Sequence, residues 1–301
     1  MKKNLKKSKF VILPALATLV LTSVATITGT AAWFTVNKTV SASGMHFKTE
    51  ADSNLFIRAD AKTGSGYGLW DTKYTFTSPV DGILQPVSTI DGLNFYKTNS
   101  TTAKEDGKKE DTAKYVAING TNGKFDDGET SKNYAYLDYA FQLKAVNTNA
   151  TEANVKITSL NLLFDGKQTS VKAFRTATFV KENGTTENPG DVATASSMTL
   201  KSISRMNGAA YQNATKAVGK AAGSETIELQ DISFIDKALT IGSAAAKASS
   251  YFQVIVRVWL EGEDTECTNT VFADKNDSNW SVDLKVSLDG ADTTYITSIV
   301  E

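Results

Sequence analysis

Residues 252–260 read FQVIVRVWL and residues 280–288 read WSVDLKVSL, and these two stretches decide the fold class. In the first, Phe252, Val254, Val256, Val258 and Leu260 share one phase, while Gln253, Ile255, Arg257 and Trp259 share the other. In the second, Trp280, Val282, Leu284, Val286 and Leu288 alternate with Ser281, Asp283, Lys285 and Ser287. A period of two puts alternate side chains on opposite faces of a strand, so each stretch reads as a β-strand turned toward a core. Val256 and Leu284 then belong to the interior. Gln253 and Lys285 fall on the opposite phase, where a polar replacement is expected to be mild.

The same period extends outward along the chain. Leu137, Tyr139, Phe141, Leu143 and Ala145 alternate with Tyr136, Asp138, Ala140, Gln142 and Lys144, which predicts a half-buried strand with one wet face. Over residues 154–164 the apolar phase slips between Val155/Ile157 and Leu160/Leu162/Phe164, the signature of a β-bulge near Ser159. Further strands are expected over residues 54–58, 70–77, 171–180 and 227–234, with an edge strand over 198–204. Trp70, Thr72, Tyr74 and Phe76 share a phase. The Ala-rich stretch 236–250 suggests a short helix that Gly242 and the serines weaken. Asp-Gly pairs at 81–82, 91–92 and 165–166 mark tight turns. Residues 97–133 and 181–224 are polar and read as insertions, the first with a short strand near 115–118. The sum is an all-β chain: an antiparallel, jelly-roll-like β-sandwich with long loop insertions, one domain over residues 33–301.

The N-terminus departs from this pattern. Lys2, Lys3, Lys6, Lys7 and Lys9 precede an apolar run from Phe10 to about residue 27, and Gly29, Thr30, Ala31 and Ala32 follow. Basic, apolar, then small is the order of a secretory signal peptide, with residues 1–32 as a signal helix cut by signal peptidase between Ala32 and Trp33. The 23 residues 10–32 are also long enough to remain as an anchor. Pro14, the threonines and the small residues favour cleavage, after which the membrane is no longer a partner. Cleavage leaves 269 residues, enough for a substantial core, and removes five lysines and no acid. The remaining net charge is −6, which argues against nucleic acid. The single cysteine, Cys267, allows no disulfide within the chain.

Past the cut, Phe34, Val36, Val40 and Ala42 lie on one face of an extended strand, and Gly44 lets Met45 and Phe47 rejoin that face. The series Ala31-Ala32-Trp33-Phe34, polar residues 35–39 and Ser41-Ala42-Ser43-Gly44-Met45 resembles the N-terminus of the TasA/camelysin family. These are secreted bacterial biofilm-matrix proteins with a jelly-roll sandwich. The resemblance implies a fibre subunit that donates its first strand, through Phe34, Val36 and Val40, to a neighbouring copy. Main-chain hydrogen bonds supply the affinity of such a strand addition.

Camelysin-type proteins also raise zinc proteolysis. A catalytic zinc takes about three protein ligands, usually with two His. His46 is the single histidine and no H-E-x-x-H occurs. A Ser-His pair would have to use His46 too, and no G-x-S-x-G elbow appears. Acidic neighbours disfavour a Cys267 thiolate. No enzyme site is therefore expected, and no cofactor. Glu261, Glu263, Asp264 and Glu266 form an oxygen-rich loop that suits calcium or, as the simpler reading, a solvated turn. Residues 122–129 and 274–279 are similar, but Asn279 stands where an EF-hand needs glycine. Trp70, Tyr134, Tyr136 and Trp259 offer rings either to a glycan or to the core. The expected function is a secreted structural subunit of an extracellular fibre or cell-surface matrix. Its partners are further copies of itself and possible cell-wall or matrix glycan. The alternative is a monomeric cell-surface binding module for glycan.

Overall fold

The computed structural model describes residues 46–51, 54–63, 66–76, 83–98, 115–118, 123–125, 133–164, 167–168, 173–205, 215–220, 223, 228–232, 238–264, 267 and 280–289. The N-terminal half contributes β1 (His46–Ala51), β2 (Leu55–Ala59), β3 (Lys62–Thr63), β4 (Gly66–Tyr67), β5 (Lys73–Phe76), β6 (Ile83–Leu84), β7 (Pro86–Val87), β8 (Tyr96–Thr98), β9 (Tyr115–Ala117) and β10 (Asn133–Tyr134). The longer strands follow: β11 (Leu137–Asn147), β12 (Ala153–Phe164), β13 (Lys167–Gln168), β14 (Phe174–Gly184), β15 (Thr199–Arg205), β16 (Thr215–Gly219), β17 (Glu228–Ile232), β18 (Leu239–Ala244), β19 (Ala248–Glu261) and β20 (Trp280–Leu288). A 3-10 turn at Ala195–Ser197 precedes β15. The chain is all-β, with no α-helix among the described residues.

Two six-stranded sheets carry the architecture. One runs β13-β12-β20-β1-β5, with β18 also on β12; the other runs β15-β14-β19-β11-β2, with β7 on β19. The long pairs are antiparallel. β1 is different: it lies parallel to β20 and antiparallel to β5. The inner phases of both long sheets meet in one core. Val254, Val256 and Val258 from β19 join Leu143 and Phe141 from β11 and Val282, Leu284 and Val286 from β20, all buried. At about 25 cal/mol per Å² of apolar surface, this core is the main stabilising contribution.

Several local expectations hold. The register of β12 against β20 shifts between Ile157 and Ser159, so the extra residue is Thr158, where the phase slip in the sequence asked for a bulge. β15 is the edge strand foreseen at 198–204. The short helix over 236–250 does not form. That stretch makes β18 and the start of β19, because β18 gains a full antiparallel ladder against β12. Gly242 is required there, since a Cβ would come within 2.5 Å of the Phe252 ring.

A second buried cluster lies on the outer face of the β19 sheet. Ile255 and Trp259 of β19 and Ala177 and Phe179 of β14 pack against Val87, Phe95, Phe125, Ala135 and Ala195 from loops and short strands. β19 is therefore buried on both faces, with every residue from Ser250 to Gly262 enclosed. The wet face expected for β11 is also closed at Gln142, which is 2% exposed.

Candidate functional site

The expected signal junction, Ala32 and Trp33, and the expected donor residues Phe34, Val36 and Val40 lie outside the described residues. What the structure places is the strand just after them. β1 begins at His46, with His46 opposite Ser281 and Phe47 opposite both Val282 and Phe76.

The polar residues of the outer β19 face are organised under the loops into two clusters. The first centres on Arg58 and Asp60, at the end of β2. Arg58 donates from Nε to Gln142 Oε1 at 2.9 Å, and from Nη2 to the Glu187 carbonyl at 2.7 Å and Asn188 Oδ1 at 2.9 Å. Its guanidinium lies between two rings, 4.1 Å from the Trp70 centroid and 4.7 Å from that of Tyr67. Such stacking suits the flat, weakly hydrated guanidinium. Burial pulls the Arg58 pKa down, against the opposing pull of Glu187 and Tyr67. Asp60 accepts from Gln142 Nε2 at 2.6 Å, from Gln253 Nε2 and from the Ala193 backbone N–H at 2.9 Å.

This cluster straps residues 187–193 across the sheet. Besides the Arg58 contacts, Tyr67 Oη donates to the Pro189 carbonyl, Lys62 Nζ to the Gly190 carbonyl, Gln253 Nε2 to the Asp191 carbonyl and Trp70 Nε1 to Glu187 Oε1. The strap supplies mainly acceptors and the sheet supplies mainly donors, so the polar groups enclosed by the strap are largely paired. Leu69, between the two stacked rings, projects outward at 92% exposure, and Val192 of the strap is also exposed.

The second cluster sits where β19 ends. Glu261 accepts from Trp259 Nε1 and from the Glu263 backbone N–H, both at 3.1 Å. Arg175 pairs with Asp264, both almost fully buried. Cys267 closes the corner, fully enclosed, and burial next to Glu261 and Asp264 pushes its thiol pKa well up. An intermolecular disulfide from this position would require the corner to open.

These contacts correct three expectations. The loop with Glu261, Glu263, Asp264 and Glu266 is neither the solvated turn nor the open calcium loop expected: Glu261 and Asp264 are buried and taken by Arg175 and N–H donors, while Glu266 lies outside the described residues. Among the described residues no group of three or more His, Cys, Asp or Glu is placed to hold a metal ion. The ring platform is dispersed. Trp259 is fully buried with Phe95 edge-on at 5.6 Å, and Tyr136 carries the Arg257 guanidinium at 3.6 Å. Trp70 does not join Tyr74 and Phe76 on the core but stacks on Arg58. Finally, Gln253 is fully buried and hydrogen-bonded to Asp60, so its phase is not a tolerant one.

Arg58, Asp60 and Arg175 carried no motif. The available signal was Ile255 and Trp259 on the supposed outer phase of 252–260, since a run apolar on both phases marks a strand covered on both sides. Comparison with protein families, with characterised proteins and with solved structures finds no match for this chain.

Proposed function

We propose that the chain is an exported, non-catalytic structural subunit of an extracellular fibre or cell-surface matrix. In this reading residues 1–32 direct export and are removed by signal peptidase, and the body is a jelly-roll-like sandwich. The new N-terminal strand, with Phe34, Val36 and Val40 on one face, adds to a neighbouring subunit. One observation carries the reading: residues 33–44 place Phe34, Val36 and Val40 on one face of an extended strand directly ahead of β1, which is itself seated between β20 and β5 of its own sheet. A strand freed at a new N-terminus has main-chain groups to offer, and Lys38 is the single charge between Trp33 and Gly44. A head-to-tail contact of this kind does not close, so it propagates as a filament.

Light scattering coupled to size-exclusion chromatography tests it. The secreted form starting near Trp33 should assemble with rising concentration, and a protein starting at Met45, which keeps β1, should stay monomeric. A peptide of residues 33–44 should bind the shortened protein. A secreted form that stays monomeric at high concentration overturns the fibre reading. A monomeric glycan-binding module is the second reading, favoured by the part-exposed Tyr67 and Trp70 rings, which pack on the Arg58 guanidinium.

A further inference from the structure

Residues 187–193 sit on the outer face of the β19 sheet as a bound peptide would. The floor supplies donors and the strap supplies acceptors. Arg58 Nη2 donates to the Glu187 carbonyl and to Asn188 Oδ1, and Trp70 Nε1 donates to Glu187 Oε1 at 2.8 Å. Tyr67 Oη, Lys62 Nζ and Gln253 Nε2 donate to the carbonyls of Pro189, Gly190 and Asp191. One bond runs the other way, from the Ala193 N–H to Asp60 Oδ2.

The floor is held together without the strap. Arg58 Nε is bonded to Gln142, and the Gln142 and Gln253 amides are both bonded to Asp60. The Tyr67 and Trp70 rings fix the plane of the guanidinium between them. With the strap lifted, Arg58 Nη2, Trp70 Nε1, Tyr67 Oη and Lys62 Nζ keep their aim and lose the acceptors described for them, which is a preorganised site. The strap itself is lightly held. Within residues 187–193 only Pro189 is buried, and polar contacts exchange for water at small net cost. Segments of this kind open locally. Gly184, exposed at a φ of +57° with nothing within 4 Å of where a Cβ would stand, forms a hinge at one end, and buried Ala195 pins the other.

We propose that this groove is a recognition site for a short acidic peptide of a partner protein, carrying Glu-Asn-Pro or a close analogue, and that residues 187–193 occupy it in cis as a pseudo-ligand. The Glu carboxylate answers Trp70, the Asn amide oxygen answers Arg58, and the Pro fills the buried position. The next residue is free to vary, because open space surrounds the Cβ position of Gly190. Arg58 and Lys62 are cationic donors, so an acidic segment is favoured. The tethered strap competes at high effective concentration, and the partner binds only the fraction of molecules in which it is lifted. The site is separate from β1 and the fibre contact.

The test is NMR on the full chain, reading the Trp70 indole N–H and the exchange protection of the Ala193 amide. The double variant Glu187→Ala with Asn188→Ala changes the strap and leaves the floor intact. Its Trp70 signal should move, and its Ala193 protection should fall by about tenfold. An unlabelled peptide of residues 185–193 should return the Trp70 signal to its wild-type position while Ala193 of the chain stays unprotected. It should bind the variant roughly tenfold more tightly than the wild type. The same peptide with alanine at both positions should do neither. A variant with wild-type Trp70 and Ala193 behaviour overturns the proposal, since the strap is then not held by these bonds. So does a lifted strap whose Trp70 signal the peptide fails to restore, or restores equally well with the alanine peptide. Restoration by oligogalacturonate where the peptide fails would likewise overturn it, in favour of a glycan site.

Discussion

The two large sheets present opposite outer faces. On the β20 sheet the outer phase is Ser281, Asp283, Lys285 and Ser287, with Lys156, Thr158 and Asn161 from β12, and these side chains are exposed or half-buried. On the β19 sheet the outer phase is Tyr251, Gln253, Ile255, Arg257 and Trp259, and all are buried under loops. Both strands alternate in the sequence, and both turn an apolar phase to the same core. They differ in what the second phase carries. Short or singly charged groups on the β20 face remain exposed or half-buried, although Asp283 Oδ1 is enclosed with no hydrogen-bond partner. Amides, guanidinium groups and large rings are held by partners: Arg257 binds Asp138 through Nε and Nη2 at 2.7 Å each and the Gly92 carbonyl at 2.8 Å. A sandwich of two layers has thus acquired a third, made of loops, on the β19 side; among the described residues the β20 side carries no such cover.

The sharpest way to break this comparison is to put a carboxylate on each phase of β19. Val256→Asp, inside the sandwich, should unfold the domain, because an unpaired buried charge costs several kcal/mol. Gln253→Asp should do nearly as much damage. It removes the two donors that Gln253 Nε2 offers to Asp60 and Asp191 and sets a second carboxylate against Asp60. A loss of about 3–5 kcal/mol is expected. Urea denaturation reads both variants. A Gln253→Asp protein with the wild-type midpoint would mean that the outer face of β19 is open to water.

Arg257 comes next. Arg257→Met keeps much of the stem and loses the pair with Asp138, the bond to Gly92 and the stack on Tyr136. Asp138 is 32% exposed and can recover water, so the expected loss is smaller, roughly 2–3 kcal/mol. The double variant with Asp138→Asn should lose less than the sum of the two single losses. Additive losses would show that the pair does not act as a unit.

Gly92→Ala probes the loop that accepts from Arg257. Gly92 has a φ of +68°, and a Cβ there would lie 2.7 Å from the Ala177 Cβ. Left-handed strain and the clash together should cost about 2 kcal/mol by thermal melting. A variant as stable as wild type would place this loop further from β14.

The sandwich itself was legible and the third layer was not, for a physical reason. Alternation along β20, β11 and β19 reports which phase faces the core, and the phase slip in β12 reports its bulge, because both are local. The roof depends on pairings between residues far apart in the chain, such as Arg58 with Asn188 and Asp60 with Ala193. Each partner taken singly looks like an ordinary polar residue in a loop. Residues 181–224 read as a polar insertion because Glu187, Asn188 and Asp191 are polar. Glu187 and Asn188 supply side-chain acceptors to Trp70 and Arg58, while Asp191 contributes only its main-chain carbonyl to Gln253. Ile255 and Trp259 were the one local sign that something covers them. The Ala-rich stretch 236–250 misled in the opposite direction: its residues favour helix, and pairing with β12 overrides them.

The smallest effect belongs to the bare face, and it completes the comparison. Lys285 is exposed on β20, in register with Glu50 of β1 and Ser159 of β12. Lys285→Ser removes an exposed ammonium and its interactions from the centre of a sheet whose inner phase, Leu284 and Val286, is untouched. Exposed cross-strand charges contribute little, since their attraction is screened and their side chains lose entropy when held. The expected change is below about 0.5 kcal/mol, and any change should fade further in high salt. Gln253 and Lys285 occupy corresponding outer phases of the two sheets, so the ratio of their effects measures the roof directly. A Lys285→Ser loss comparable to that of Gln253→Asp would show that the β20 sheet is also covered, by residues outside those described, and the asymmetry between the faces would disappear.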